Sequence, residues 1–129
     1  TSRATVMNYI KYLTDARLTN LIYPVNEEFP KKPAKIMLHN SNLMYAIYPN
    51  RVEKQDLMET FFVNALWKDH KVNNGAKAEY YIVDQVKKFR ICDAENPKMR
   101  YNSDTIYARY NTEVGKDNRI PLWLLGFLY

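Results

Sequence analysis

Glycine is nearly missing from this chain, with three residues in 129. That scarcity excludes a Gly-rich phosphate loop: no G-x-x-x-x-G-K-[ST] run occurs, and Gly75, Gly115 and Gly126 are too scattered to supply one. Cysteine is scarcer still. Cys92 stands alone, so no internal disulfide is available, and its apolar neighbours point to a buried structural thiol in a reducing cytoplasm. His39 and His70 are the only histidines, which with one cysteine leaves no zinc-ligand spacing and no expected metal site. Nothing resembles a nucleophile elbow. Long apolar runs are also lacking. The longest, Leu122 to Tyr129, falls far short of the roughly 20 residues needed to span a bilayer. No basic-then-apolar leader is found. The expectation is a soluble, cytoplasmic chain with no membrane partner.

What is present suits one real core: 47% of the residues are hydrophobic. Eleven tyrosines favour β-sheet and interfaces. Nineteen basic residues against 14 acidic give a net charge of +5, which permits contact with nucleic acid or an acidic partner without demanding it. Residue 1 is Thr, not Met, and a helix signal follows at once, so a fragment is expected.

That signal is Ser2, whose hydroxyl can accept early backbone N–H groups, followed by Val6, Tyr9, Ile10, Leu13 and Ala16 on one apolar stripe. A short strand is expected over Leu21–Val25, a Pro- and Lys-containing turn over Glu27–Pro33, and a second strand over Ala34–Leu38. Helix, strand, loop, strand is the back half of a winged helix, a motif that enters a DNA groove or serves only as a protein-docking or lid module. For DNA contact the candidates are Arg3, Thr5, Asn8 and Lys11 on the helix and Lys31 and Lys32 on the wing.

Further on, His39–Asn42 offers caps for a two-turn helix through Ile47, and a longer helix runs from Arg51 or Val52 to Trp67. Leu57, Phe61, Val63, Ala65 and Leu66 form its apolar face. Glu59 among them is either a solvated edge residue, the favoured placement, or an acid aimed at a sheet. Lys71-Val72 is a strand candidate closed by an Asn73-Asn74-Gly75 turn, and Thr105–Tyr110 another strand. Glu113–Arg119 reads as a link, and Pro121 as the first turn of a short helix. The apolar tail after it must dock on the core or on a partner.

Between these lies Glu79 to Lys98, EYYIVDQVKKFRICDAENPK, two strands over about Lys77–Asp84 and Lys87–Asp93 joined by a short turn. Four carboxylates (Glu79, Asp84, Asp93 and Glu95) stand at or beyond the strand ends. A hairpin with acids at its margins is either the floor of a metal-dependent nuclease or an ordinary hairpin with solvated ends.

The tail RIPLWLLGFLY resembles the C-terminus of a group of bacterial AAA-type ATPases of unknown role. TSRATVMNYIKYLTDARLTNLIY is similar to their winged helix, KPAKIMLHNSNLMYAI to the strand and short helix after it, and DLMETFFVNAL to the helix opening their last domain. AEYYIVD and KKFRICDAENPK resemble that domain's central hairpin. The resemblance implies an α+β chain: a partial winged helix over 1–38, then a small restriction-endonuclease-like α/β domain over 39–129. ATP and Mg²⁺ are expected only in an ATPase domain missing from this chain, which itself has no cofactor. The implied partners are that ATPase domain and either DNA or a protein client.

Relatives of the endonuclease fold place an acid on one hairpin strand and a Glu-Val-Gly-Gly-Lys run on the next, to bind Mg²⁺ and orient water. Carried over by residue, Glu79 falls at the first acid, Arg90 where Glu is expected, and Cys92-Asp93-Ala94 in place of Gly-Gly-Lys. A guanidinium cannot ligate a divalent cation. The resemblance therefore implies a non-catalytic C-terminal module serving partner docking or DNA contact. The alternative is a divergent metal-dependent nuclease that uses Glu59, Glu79, Asp93, Glu95 and Lys98.

Overall fold

The computed structural model describes residues 2–29, 31–47, 50, 52–75, 77, 79–96 and 100–128, with the side chains at 41 and 126–128 left aside. Helix α1, Arg3–Asp15, starts where the sequence indicates: Ser2 Oγ accepts from the Thr5 amide at 3.3 Å. It ends at Arg17, whose φ of 62° is left-handed. Because glycine is so scarce, non-glycine residues fill the left-handed positions, including Asn26, Asp84, Gln85, Asn111 and Asp117.

Strands β1 (Thr19–Ile22) and β2 (Lys35–Leu38) pair antiparallel into a two-stranded sheet. The first of these begins and ends earlier than the expected Leu21–Val25. Pro24 has no N–H to continue the ladder and makes only an isolated bridge to Asn74. Helix α2, Ser41–Ile47, is capped by Asn40, whose Oδ1 accepts from the Asn42 amide at 2.8 Å.

Helix α3, Lys54–Leu66, crosses a second sheet made of β3 (Val72–Asn74), β4 (Tyr80–Val83), β5 (Lys87–Asp93), β6 (Thr105–Tyr110) and β7 (Arg119–Pro121). These five strands lie in sequence order, with β3–β4 and β4–β5 antiparallel and β5–β6 and β6–β7 parallel. The chain is thus mixed α+β, with the expected hairpin at the middle of its larger sheet. The turn between β4 and β5 lacks the usual glycine. Asp84 and Gln85 take φ of 54° and 62°, a pairing of positive values that suits a hairpin turn. Asp84 compensates through its side chain, which accepts from the Lys71 amide at 2.9 Å and bonds His70 Nδ1 at 2.7 Å. Those two contacts hold the Asp84 carboxyl below its ordinary pKa.

Two sequence expectations are corrected here. Asn73 and Asn74 extend a strand and do not close a turn: they face Ile82 and Tyr81 in register, and Asn73 is buried with its amide donating to the Tyr23 carbonyl. Gly75 then permits close approach, since a Cβ there would lie 2.9 Å from Tyr80 Cβ. Pro121 ends edge strand β7, where its missing N–H costs no ladder bond, and a 3-10 helix, Leu122–Leu128, follows it.

The core forms where α3 meets the sheet. Phe62, Val63, Ala65 and Leu66 pack with Tyr81, Val83, Phe89, Ile91 and Ala108, joined by Ile22 from β1 and by Leu122 and Leu125 from the tail. The apolar tail therefore docks on this chain's own core through those two leucines. Phe62, absent from the expected apolar face, is its centre, with ring centroids 5.6 Å from Tyr81 and 5.4 Å from Phe89. Phe61 lies only partly buried beside this cluster. Among the described residues no helix is long and apolar enough to cross a membrane.

Candidate functional site

The candidate acids of the hairpin do not converge. Glu79 precedes β4, half exposed, and its Oε1 lies 3.9 Å from Nη1 of Arg90 on β5. The residue that stands where a metal-binding glutamate would stand therefore points its charge at the first candidate acid. Asp93 ends β5 and is engaged otherwise: its Oδ1 accepts from the Glu95 amide at 2.9 Å and from Asn111 Nδ2 at 3.0 Å. Those bonds lower its pKa and leave it a turn-capping carboxylate. Glu95 is exposed in the turn after it, and Lys98 lies outside the described residues. Among the described residues no three of His, Cys, Asp and Glu come together as ligands would. Cys92 is a buried free thiol, and burial raises its pKa.

Glu59 is not a solvated edge residue. Its side chain is 14% exposed and turned toward the sheet. Tyr81 Oη donates to its Oε1 at 2.6 Å, Gln55 Nε2 to its Oε2 at 3.2 Å, and Lys35 Nζ stands 3.5 Å away. Lys35 also donates to Tyr81 Oη at 3.0 Å and lies over its ring. Gln55 passes the network on, donating to the Ile91 carbonyl at 2.8 Å and accepting from Tyr110 Oη at 2.8 Å. Burial and the Glu59 carboxylate together push the Tyr81 phenol far above its ordinary pKa, so it stays a neutral donor. One carboxylate thereby ties β2, α3 and β4 together. A cleft of about 510 Å³ opens beside it, lined by Met37, Met44, Val52, Asp56 and Thr60 among others. Sequence reasoning missed Gln55, Lys35 and Tyr81. The available signal was Gln55 and Glu59 one helical turn apart on the flank that also carries Phe62.

The proposed DNA-contact residues are spread over α1 and the wing. Arg3, Asn8, Lys11 and Lys32 are exposed, and Thr5 is half-buried beside Ser2. Lys31 is 4.0 Å from Glu27, and Lys11 lies over the Phe29 ring at 6.0 Å, which links helix to wing. On α1 itself no residue is buried. Met7, Ile10 and Thr14 form its half-buried side, and Thr14 Oγ1 meets Thr19 Oγ1 at 3.2 Å. The rest of the apolar stripe faces outward, with Val6 44%, Tyr9 60% and Leu13 44% exposed. Leu18, in the turn after α1, and Ile36 on β2 are also exposed, at 43% and 52%.

Compared with known protein families, curated proteins and solved structures, the chain matches none.

Proposed function

We propose that this chain is a non-catalytic docking module, the C-terminal part of an AAA-type ATPase, in which a winged-helix-like segment is joined to an endonuclease-like sheet. The reading rests first on α1. A helix of 13 residues with none buried, presenting Val6, Tyr9 and Leu13 at spacings of three and four, has the form of an anchor row for a groove on another protein. Scattered exposed apolar residues mean little, but here Val6, Tyr9 and Leu13 share one helix face. The occupant we infer is the ATPase domain that the tail's resemblance implies, acting as the module's partner in the same protein. The Glu79–Arg90 pair supports the non-catalytic half of the proposal, because a cation fills the position where metal chemistry needs a ligand. DNA contact through Arg3, Lys11 and the wing lysines has less support, since Lys31 and Lys11 already face Glu27 and Phe29.

The test is a titration of the chain against the parent's ATPase domain produced as a separate polypeptide. Tyr9→Asp with Leu13→Asp should weaken binding about a hundredfold, while leaving Tm almost unchanged because neither side chain is buried. Equal binding by the double variant and the unaltered chain would overturn α1 as the docking face.

A further inference from the structure

The cleft beside the Glu59 network has apolar walls and an acidic rim. It opens where β2 and α2 meet the first turns of α3, with a volume of about 510 Å³. Met37, Met44 and Val52 line its walls. Met44 and Val52 are half-buried, and Met37 packs against the core as well as lining the cleft. Unbranched thioether side chains re-pack around irregular guests, which suits methionine to surfaces that receive another chain.

The floor is already paired: Lys35 stands against Glu59, and Tyr81 donates to the same carboxylate. The rim is not. Glu53 and Asp56 line it from one side of α3, three residues apart. Glu53 is the N-cap of that helix, yet its side chain caps no amide. Among the described residues neither carboxylate has an ion-pair or hydrogen-bond partner. The one cation between them in sequence is engaged elsewhere, since Lys54 Nζ donates to Asn111 and lies over the Tyr110 ring. Acids are favoured at this end of a helix, so two can stand unpaired there without strain. In a chain whose net charge is +5, the cleft is a local reversal of sign.

We propose that this cleft docks a basic amphipathic segment of another protein, which sets an apolar side chain against Met37 and Met44 and its Lys or Arg side chains on Glu53 and Asp56. The walls call for an apolar anchor and the rim for a cation, and one amphipathic segment supplies both. A nucleic-acid strand is repelled by the rim, and a free amine leaves the methionines uncovered. A cleft of this size holds a few side chains and not a folded element, so the segment lies across its mouth. The proposal is independent of docking by α1, whose residues lie on a different element.

The experiment uses the whole chain carrying ¹³C at its methionine methyls. It is titrated with a synthetic peptide of about 15 residues that has leucines at helical spacing and lysines elsewhere. The Met37 and Met44 signals should shift together, while Met7 on α1 and Met58, which lines a different cleft, stay in place. Glu53→Gln with Asp56→Asn keeps both shapes and should fold normally, because both residues are exposed. It should weaken binding about tenfold. Salt raised from about 50 to 500 mM should weaken binding to the unaltered chain and change the double variant little. The proposal fails if neither cleft methionine shifts, or if Met7 shifts in their place. It also fails if the double variant binds with unchanged affinity, or if the same peptide with glutamate for lysine binds as well. Displacement of the peptide by an equal concentration of butylamine would overturn it too, because the ammonium alone would then account for binding.

Discussion

Phe62→Ala should destabilise the chain by about 3–5 kcal/mol, the cost of emptying a large buried aromatic site. Phe62 is fully buried and touches both strands of the central hairpin through Tyr81 and Phe89. Its removal leaves a cavity between α3 and the sheet that neither neighbour can close, because the sheet's spacing is set by its ladders. Domains of this size are stable by only about 5–15 kcal/mol, so the variant should lose a large fraction of its margin. A fall in Tm of roughly 10–20 °C is expected by calorimetry. Phe61→Ala, only partly buried, should cost clearly less. If the two costs came out equal or reversed, the orientation of α3 described above would be wrong.

Glu59→Ala should cost about 2–3 kcal/mol, less than a fully buried pair because Lys35 and Glu59 retain some solvent. The substitution weakens three donors at once: Tyr81 Oη loses its carboxylate acceptor, Lys35 loses the Glu59 charge but keeps Tyr81 Oη, and Gln55 keeps only its bond to the Ile91 carbonyl. Tyr81→Phe removes the donor to Glu59 and an acceptor of Lys35 but leaves Glu59 with Lys35 and Gln55, so about 1–2 kcal/mol is expected. The double variant should then be less destabilised than the sum, since both substitutions break the same 2.6 Å bond. Denaturant unfolding of the four proteins measures this coupling. Strict additivity, or a Glu59→Ala cost below about 0.5 kcal/mol, would return Glu59 to the surface role of an ordinary edge carboxylate.

How far the sequence carried depends on how local each signal was. The Ser2 cap, the stripe that begins α1 and the two hairpin strands depend on neighbours within a few residues, and they were legible. Strand β7 was not: Arg119–Pro121 is three residues long and exists only because β6 offers its edge. Asn73 and Asn74 carried a turn signal that tertiary pairing with β4 overrode. The apolar stripe of α1 was seen correctly as a pattern, but hydrophobic periodicity cannot say whether a face meets its own core or another molecule. Glu59 is the parallel case within the core. A lone carboxylate on an apolar helix is weighed by its usual exposure, and its acceptance of Tyr81 depends on residues 22 positions away. The pairing of Arg90 with Glu79 follows from the hairpin's register, in which Arg90 stands opposite Tyr80, the residue after Glu79.

The most direct measurement of the non-catalytic reading is incubation of the purified chain with supercoiled and linear DNA in Mg²⁺ and then Mn²⁺. No cleavage is expected above the metal-free control, because the one acid on the hairpin that aligns with a metal ligand faces the Arg90 guanidinium and Asp93 is committed to its turn. Metal-dependent cleavage that Glu79→Ala abolishes would contradict that reading and restore the hairpin as a working nuclease floor.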